Sequence, residues 1–205
     1  MIKIGVIGSG SMGTGIAQVA ATAGHEVYLY DNNPSALDRS EAFIHKIMNR
    51  LVEKGRLQSG EAEAIKNRIH YQSNLFACSD ASLIIEAIVE NVDIKKQVFE
   101  TLEDAVGEDA ILATNTSSLS IAAIAAACKK PERVIGIHFF NPAALMKLVE
   151  IVPAVQTSEA TQQKATEIIK GWGKTTVLAK DTPGFIVNRV ARPFYGWFFY
   201  TSPIP

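Results

Sequence analysis

The stretch IKIGVIGSGSMG, residues 2–13, runs from β-branched residues into three glycines, Gly8, Gly10 and Gly13, spaced G-x-G-x-x-G. A short β-branched run fits a buried strand, and glycines punctuate its end. Beyond them Met12, Ile16, Val19, Ala20 and Ala23 recur at helical spacing, and Gly24 suits the C-terminal cap. A second strand, Val27 to Tyr30, ends on Asp31, 18 residues past Gly13. Strand, glycine turn, helix, strand and acid in this order form a dinucleotide fingerprint. Gly8 permits the tight turn, Gly10 lets a pyrophosphate approach the backbone, and Gly13 lets the helix pack closely on the strand. Ser11 and Met12 open the helix, whose free N–H groups and partial positive charge suit phosphates. Asp31 can accept from ribose hydroxyls and repels a 2′-phosphate, and Asn32, Asn33 and Pro34 include no arginine to hold one. The expected cofactor is therefore NAD rather than NADP. No Gly-Lys-Ser/Thr follows the glycines, so this is not an NTPase phosphate loop.

Outward from this unit, strand-like and helix-like segments alternate. Helices are expected at Pro34 to Leu51, Ser59 to Arg68, Val92 to Val106, Ser120 to Ala127 and Ser158 to Trp172, with a last one opening near Pro183-Gly184. Strands are expected at Leu83 to Ile88, Ala110 to Thr114, Val134 to Phe139, Leu148 to Val152 and Thr175 to Ala179, and His70 stands at a strand start. Such alternation predicts an α/β fold of the Rossmann type, doubly wound, with a mainly parallel sheet and helices on both faces.

Composition narrows the function. Across 205 residues, 20 Lys+Arg against 21 Asp+Glu leave a formal net charge of −1, which supplies no global drive toward nucleic acid or an anionic membrane. No membrane span is expected, because the longest uncharged stretch, Ala110 to Cys128, is broken by Thr114, Asn115, Thr116, Ser117, Ser118 and Ser120. Cys78 and Cys128 can make neither a disulfide framework nor a four-ligand zinc site, and read as small buried hydrophobes. The start at Met1-Ile2-Lys3-Ile4-Gly5 shows no leader pattern, so the expected compartment is cytoplasmic and no metal site is expected.

In an open α/β sheet, ligands lie beyond the carboxyl ends of the strands. Asn115, Thr116, Ser117 and Ser118 follow Ile111-Leu112-Ala113, and His138 closes Val134-Ile135-Gly136-Ile137, with Asn141-Pro142 just beyond. Hydride transfer from an alcohol carbon needs a base for the hydroxyl proton. Histidine, titrating nearest neutral pH, is the first candidate. A carboxylate on its other nitrogen would fix the tautomer, and Glu150, between Val149 and Ile151 on the next strand, is in position to supply one. Each has a plainer alternative: a structural strand-end histidine, turn or capping serines, a solvated strand glutamate, and for Asn188 a helix-surface amide.

Five motifs together resemble the NAD-dependent L-3-hydroxyacyl-CoA dehydrogenases, a family that includes the 3-hydroxybutyryl-CoA dehydrogenases. They are Ile7 to Gly13, Glu86-Ala87-Ile88-Val89-Glu90-Asn91, Asn115-Thr116-Ser117-Ser118-Leu119, His138-Phe139-Phe140-Asn141-Pro142, and Asp181-Thr182-Pro183-Gly184-Phe185-Ile186-Val187-Asn188-Arg189. The resemblance implies oxidation of the 3-hydroxyl of an acyl-CoA to the ketone, or the reverse. By it, His138 matches the general base and Glu150 the carboxylate orienting it. Ser117 matches the serine bonding the reacting oxygen, and Asn188 the amide that helps polarise the substrate. Glu90, Lys95, Ser117 and Asn141 match positions lining the nicotinamide half of NAD, and Lys54 a lysine near the CoA phosphates.

The resemblance also implies a homodimer for full-length members, whose helical C-terminal domain supplies most of the contacts and one wall of the cleft. The expected division here is an NAD-binding Rossmann domain over residues 1–183 and the start of a truncated helical domain over residues 184–205. Six of the seven residues Phe194 to Tyr200 are aromatic, a tail unlike the family pattern that suggests a truncated or frame-shifted form. Two alternatives stay open: an NAD-binding module without substantial turnover, and a Rossmann dehydrogenase acting on another β-hydroxy acid.

Overall fold

In a computed structural model, residues 1–191 are described. The aromatic tail expected to be atypical lies outside them. Fourteen strands and α-helices follow one another as β1 (Lys3–Ile7), α1 (Ser11–Thr22), β2 (Glu26–Tyr30), α2 (Pro34–Glu53), α3 (Ser59–Asn67), β3 (Ile69–Gln72), β4 (Leu83–Glu86), α4 (Val92–Ala105), β5 (Ile111–Thr114), α5 (Ile121–Ala125), β6 (Val134–Phe139), β7 (Leu148–Pro153), α6 (Glu159–Gly171) and β8 (Thr175–Leu178). One sheet holds all eight strands in the order β3-β2-β1-β4-β5-β6-β7-β8. The first six reproduce the Rossmann order, with its switch point between β1 and β4 where bound nucleotides lie.

The central strands are buried along their whole length, as expected where helices cover both faces of a sheet: Leu83 to Glu86, Ile111 to Thr114 and Val134 to Phe139 expose almost nothing. Side-chain alternation divides the apolar residues into two cores. Val6, Leu29, Ile85 and Ile137 pack under α1, α2, α3 and α6; Ile84 and Leu112 pack against Phe99 of α4 and Ile121 of α5 on the other face. Gly136 allows the second core to close, because a Cβ there would lie 2.8 Å from Ile121 Cδ1 and 2.9 Å from Val152 Cβ.

The sheet departs from parallel at one pairing. β7 runs antiparallel to β6, with His138 opposite Glu150, and β8 then pairs parallel to β7. Residues 140–147 between β6 and β7 contain no helix, and a crossover to a parallel neighbour needs a dozen residues or more. Smaller differences concern boundaries. β4 stops at Glu86 rather than Ile88, since the Glu86 carboxylate takes the Ile88 N–H that would continue the ladder. α5 is five residues long, and the last helical segment begins at residue 187, after a turn with positive φ at Gly184 and Phe185.

Candidate active site

The first half of the site is backbone. Gly8 sits at φ 100, and a Cβ on it would lie 2.7 Å from the Ala87 carbonyl oxygen; a Cβ on Gly13 would lie 1.8 Å from the Gly8 carbonyl oxygen. Turn and helix therefore touch the strand layer as closely as backbone allows. Gly10 differs: nothing lies within 4 Å of where its Cβ would be. Gly10 caps α1 without a side-chain bond, and no acidic residue occupies the first turn, so the amides of Ser11, Met12 and Gly13 remain available. Asp31 receives the Ser9 N–H at 2.8 Å and the Ser9 hydroxyl at 2.9 Å on Oδ2, and the Asn33 N–H at 2.9 Å on Oδ1. It thus ties the glycine loop to the end of β2 and keeps acceptor capacity for a ribose. The sequence pattern leads to the expectation of a ribose partner for Asp31 and gives no sign of the loop tie. Gly8, Gly10, Tyr30, Asp31, Ile88 and Ile94 help line a cleft of about 750 Å³. An open cradle at Gly10, free helix amides and a carboxylate with an acceptor site left on Oδ1 fit NAD.

A second cleft of about 420 Å³ adjoins the first along Ala87 and Ile88. Met12, Glu90, Lys95, Ser117, His138 and Asn188 all line it, with Asn141 at its edge. His138 is buried, and its Nδ1 lies 2.7 Å from Glu150 Oε2. Glu150, itself 0% exposed, accepts the Ile186 and Val187 N–H groups on Oε1, each at 2.9 Å. Those donors open the last helical segment, where a carboxylate is favoured by the free amides. Phe140 and Phe185 pack on the imidazole with ring centroids 4.5 and 5.7 Å away. With Nδ1 engaged by the carboxylate, Nε2 is the nitrogen left for chemistry in the cleft.

The segment bearing Asn188 is held at both ends. Asp181 accepts from Ile121 N, Ala122 N and Ser120 Oγ at the start of α5, and Glu150 holds residues 186 and 187. Asn188 Nδ2 then donates to the Ser117 carbonyl at 3.2 Å, which brings residues 71 positions apart into one wall. Asp181 belongs to a recognised motif but had no role assigned by sequence; nothing local signals that it caps a helix sixty residues earlier.

Glu86 is a further unforeseen member. Fully buried, it accepts from Lys95 Nζ at 2.5 Å, from Thr114 Oγ1 at 2.7 Å and from Ile88 N at 2.7 Å. Lys95 Nζ also lies 3.4 Å from Glu90, which in turn accepts the Thr116 hydroxyl and the Ser117 N–H. Burial pushes the Glu90 carboxyl up, but Thr116, the Lys95 ammonium and the Ser117 amide together hold it below its ordinary value. Lys54 alone stands apart from the gathered residues: it is exposed at the C-terminal cap of α2, about 30 Å along that helix from Asn33.

A dinucleotide cleft at the switch point of a Rossmann sheet, opening beside a histidine–carboxylate pair, defines a dinucleotide-binding domain of the class found in NAD-dependent dehydrogenases. The model of the 3-hydroxyacyl-CoA dehydrogenase NAD-binding domain matches residues 3–182, and the chain belongs to this family. It is 47% identical over 192 residues to 3-hydroxyadipyl-CoA dehydrogenase of Escherichia coli K12, covering 94% of this chain and 40% of that protein. With 3-hydroxybutyryl-CoA dehydrogenase of Clostridioides difficile the identity is 44%, covering 94% of this chain and 68% of the other. The crystal structure of 3-hydroxybutyryl-CoA dehydrogenase from E. coli K12 superposes with a TM-score of 0.95 at 45% identity, over 98% of this chain and 43% of that one. The chain therefore spans between two-fifths and about two-thirds of the length of these relatives.

Proposed function

We propose that this chain supplies the cofactor-binding and proton-transfer part of an enzyme interconverting an L-3-hydroxyacyl-CoA and its 3-ketoacyl-CoA. The observation carrying this reading is the buried His138–Glu150 pair at 2.7 Å, on a cleft that shares Ala87 and Ile88 with the glycine-loop cleft. NAD, when bound, supplies the hydride acceptor. His138 Nε2 takes the 3-hydroxyl proton during oxidation and returns it during reduction. Glu150 holds the tautomer that leaves Nε2 unprotonated and stabilises the imidazolium once it forms. The Ser117 hydroxyl and the Asn188 amide donate to the reacting oxygen as its charge develops, each worth about 3 kcal/mol of barrier by analogy with oxyanion-hole donors. Lys54 is assigned to the CoA phosphates on resemblance alone.

Residues 1–183 act in this reading as the NAD-binding domain, and residues 184–205 begin the helical domain that walls the acyl side and joins two subunits. A reducing, cytoplasm-like compartment suits Cys78 and Cys128, both free, whose burial pushes each thiol up to about 11. The test is acetoacetyl-CoA-dependent oxidation of NADH, run with the parent and with His138→Gln. The variant is expected to lose at least about 100-fold in rate while binding NADH as the parent does. Equal rates would overturn the assignment of His138. A parent that binds NADH but shows no turnover would reduce the function to cofactor binding.

A further inference from the structure

Beneath the cleft lies a cluster whose charges do not balance. Glu86 and Glu90 share the single ammonium of Lys95, at 2.5 and 3.4 Å. Every other partner of the two carboxylates is a neutral donor: Ile88 N and Thr114 Oγ1 for Glu86, Thr116 Oγ1, Ser117 N and Ser118 Oγ for Glu90. Thr114 is fully buried, and Lys95 exposes only 1% of its side chain. Glu86, Lys95 and Thr114 are thus removed from water, Glu90 stands at the cleft surface with its side chain 40% exposed, and the group carries one formal negative charge. Lys95 is the only lysine or arginine among the described residues lining this cleft, and its charge is already shared.

We propose that Glu86, acting with Glu90 and Lys95, makes this cleft bind the oxidised form of NAD in preference to the reduced form. The proposal rests on the reading that the cleft holds the nicotinamide end. The two cofactor forms differ there by one positive charge and are otherwise nearly the same size. A fixed negative group beside the ring attracts the cationic form and is indifferent to the neutral one, and a ring seated against Glu90 displaces the water that would screen it. Lys95 alone would act in the opposite sense. Glu86, which never reaches the cleft surface, is what reverses it: its carboxylate cancels the lysine, leaving the charge of Glu90 unopposed. Glu86 is in this sense a specificity-determining residue that touches no ligand.

Glu86→Gln is suited to the test because it can keep the local hydrogen bonds. The amide oxygen can take Lys95 and Ile88 N, and the Thr114 hydroxyl can turn to accept from the amide nitrogen. Dissociation constants for NAD and NADH would be measured separately by calorimetry on the full chain, its Glu86→Gln and Glu90→Gln variants, and Asp31→Asn as a control. Both glutamine variants are expected to shift the ratio of the two constants against the oxidised form by about tenfold, equivalent to about 1.4 kcal/mol. Asp31→Asn, at the adenosine end, is expected to weaken both forms alike. Should Glu86→Gln not fold, Glu90→Gln carries the same signed prediction, since its side chain is 40% exposed. Equal weakening of both forms by both glutamine variants overturns the proposal while leaving NAD binding in place. Failure of the unaltered chain to bind either form overturns instead the reading of the cleft, and the proposal with it.

Discussion

The two ends of the cleft are built by different means. At the nucleotide end the working groups are backbone: the amides at the start of α1, the turn at Gly8, and the Gly8–Gly13 contact, all within a dozen residues. Asp31 is the one side chain needed, and it arrives a single strand later. At the His138 end, where we place the chemistry, the groups are side chains drawn from β6, β7, the loop after β5 and the segment at 181–188. The first end is specified by short-range spacing, and its tolerance depends on what each glycine touches. The second is specified by antiparallel register and by two carboxylates, the buried Glu150 and the half-buried Asp181, that receive backbone N–H groups from distant chain.

If that contrast is right, the largest stability effect should come from the register-built end. Glu150→Ala removes the acceptor of Ile186 N, Val187 N and the imidazole at once and leaves a cavity. It should lower the unfolding free energy by about 4 kcal/mol in denaturant titration. A loss below about 1 kcal/mol would show that the last segment does not depend on this carboxylate. Next comes a comparison of two glycines. Gly13→Ala places a methyl against the Gly8 carbonyl and should cost about 3 kcal/mol in the same measurement. Gly10→Ala meets no protein atom, so its stability should stay within about 0.5 kcal/mol of the parent while NAD affinity falls about tenfold, an effect calorimetry would resolve. Equal stability losses at both positions would erase the distinction between a packing glycine and a ligand glycine. The smallest effect is expected at Asp181→Asn. One oxygen remains to accept, while the introduced N–H₂ faces donors, giving a loss of about 1 kcal/mol. NAD affinity should be unchanged there, because Asp181 braces only the His138 end.

Much of this organisation was readable in the residues. Strand and helix identities followed from periodicity, the glycine roles from their spacing, and His138 from its place at a strand end. What escaped reading was long-range and polar. The antiparallel turn at β7 depends on a connection too short for a crossover rather than on any motif. Glu86 sits in an apolar strand where a charge finds its reason only in Lys95 and Thr114, which arrive from α4 and β5. Asp181 caps a helix whose start lies sixty residues away.

By itself the sequence determined the Rossmann unit and the cofactor, because those reside in local spacing that backbone geometry translates directly into shape, and five of its motifs carried the resemblance to the family. Only the tertiary structure decided that Glu150 stands opposite His138, that Asn188 meets Ser117, and that Glu86 neutralises Lys95. Burying an ionisable group is unfavourable unless its partners are in place, and those partners come together only when separate strands and helices pack.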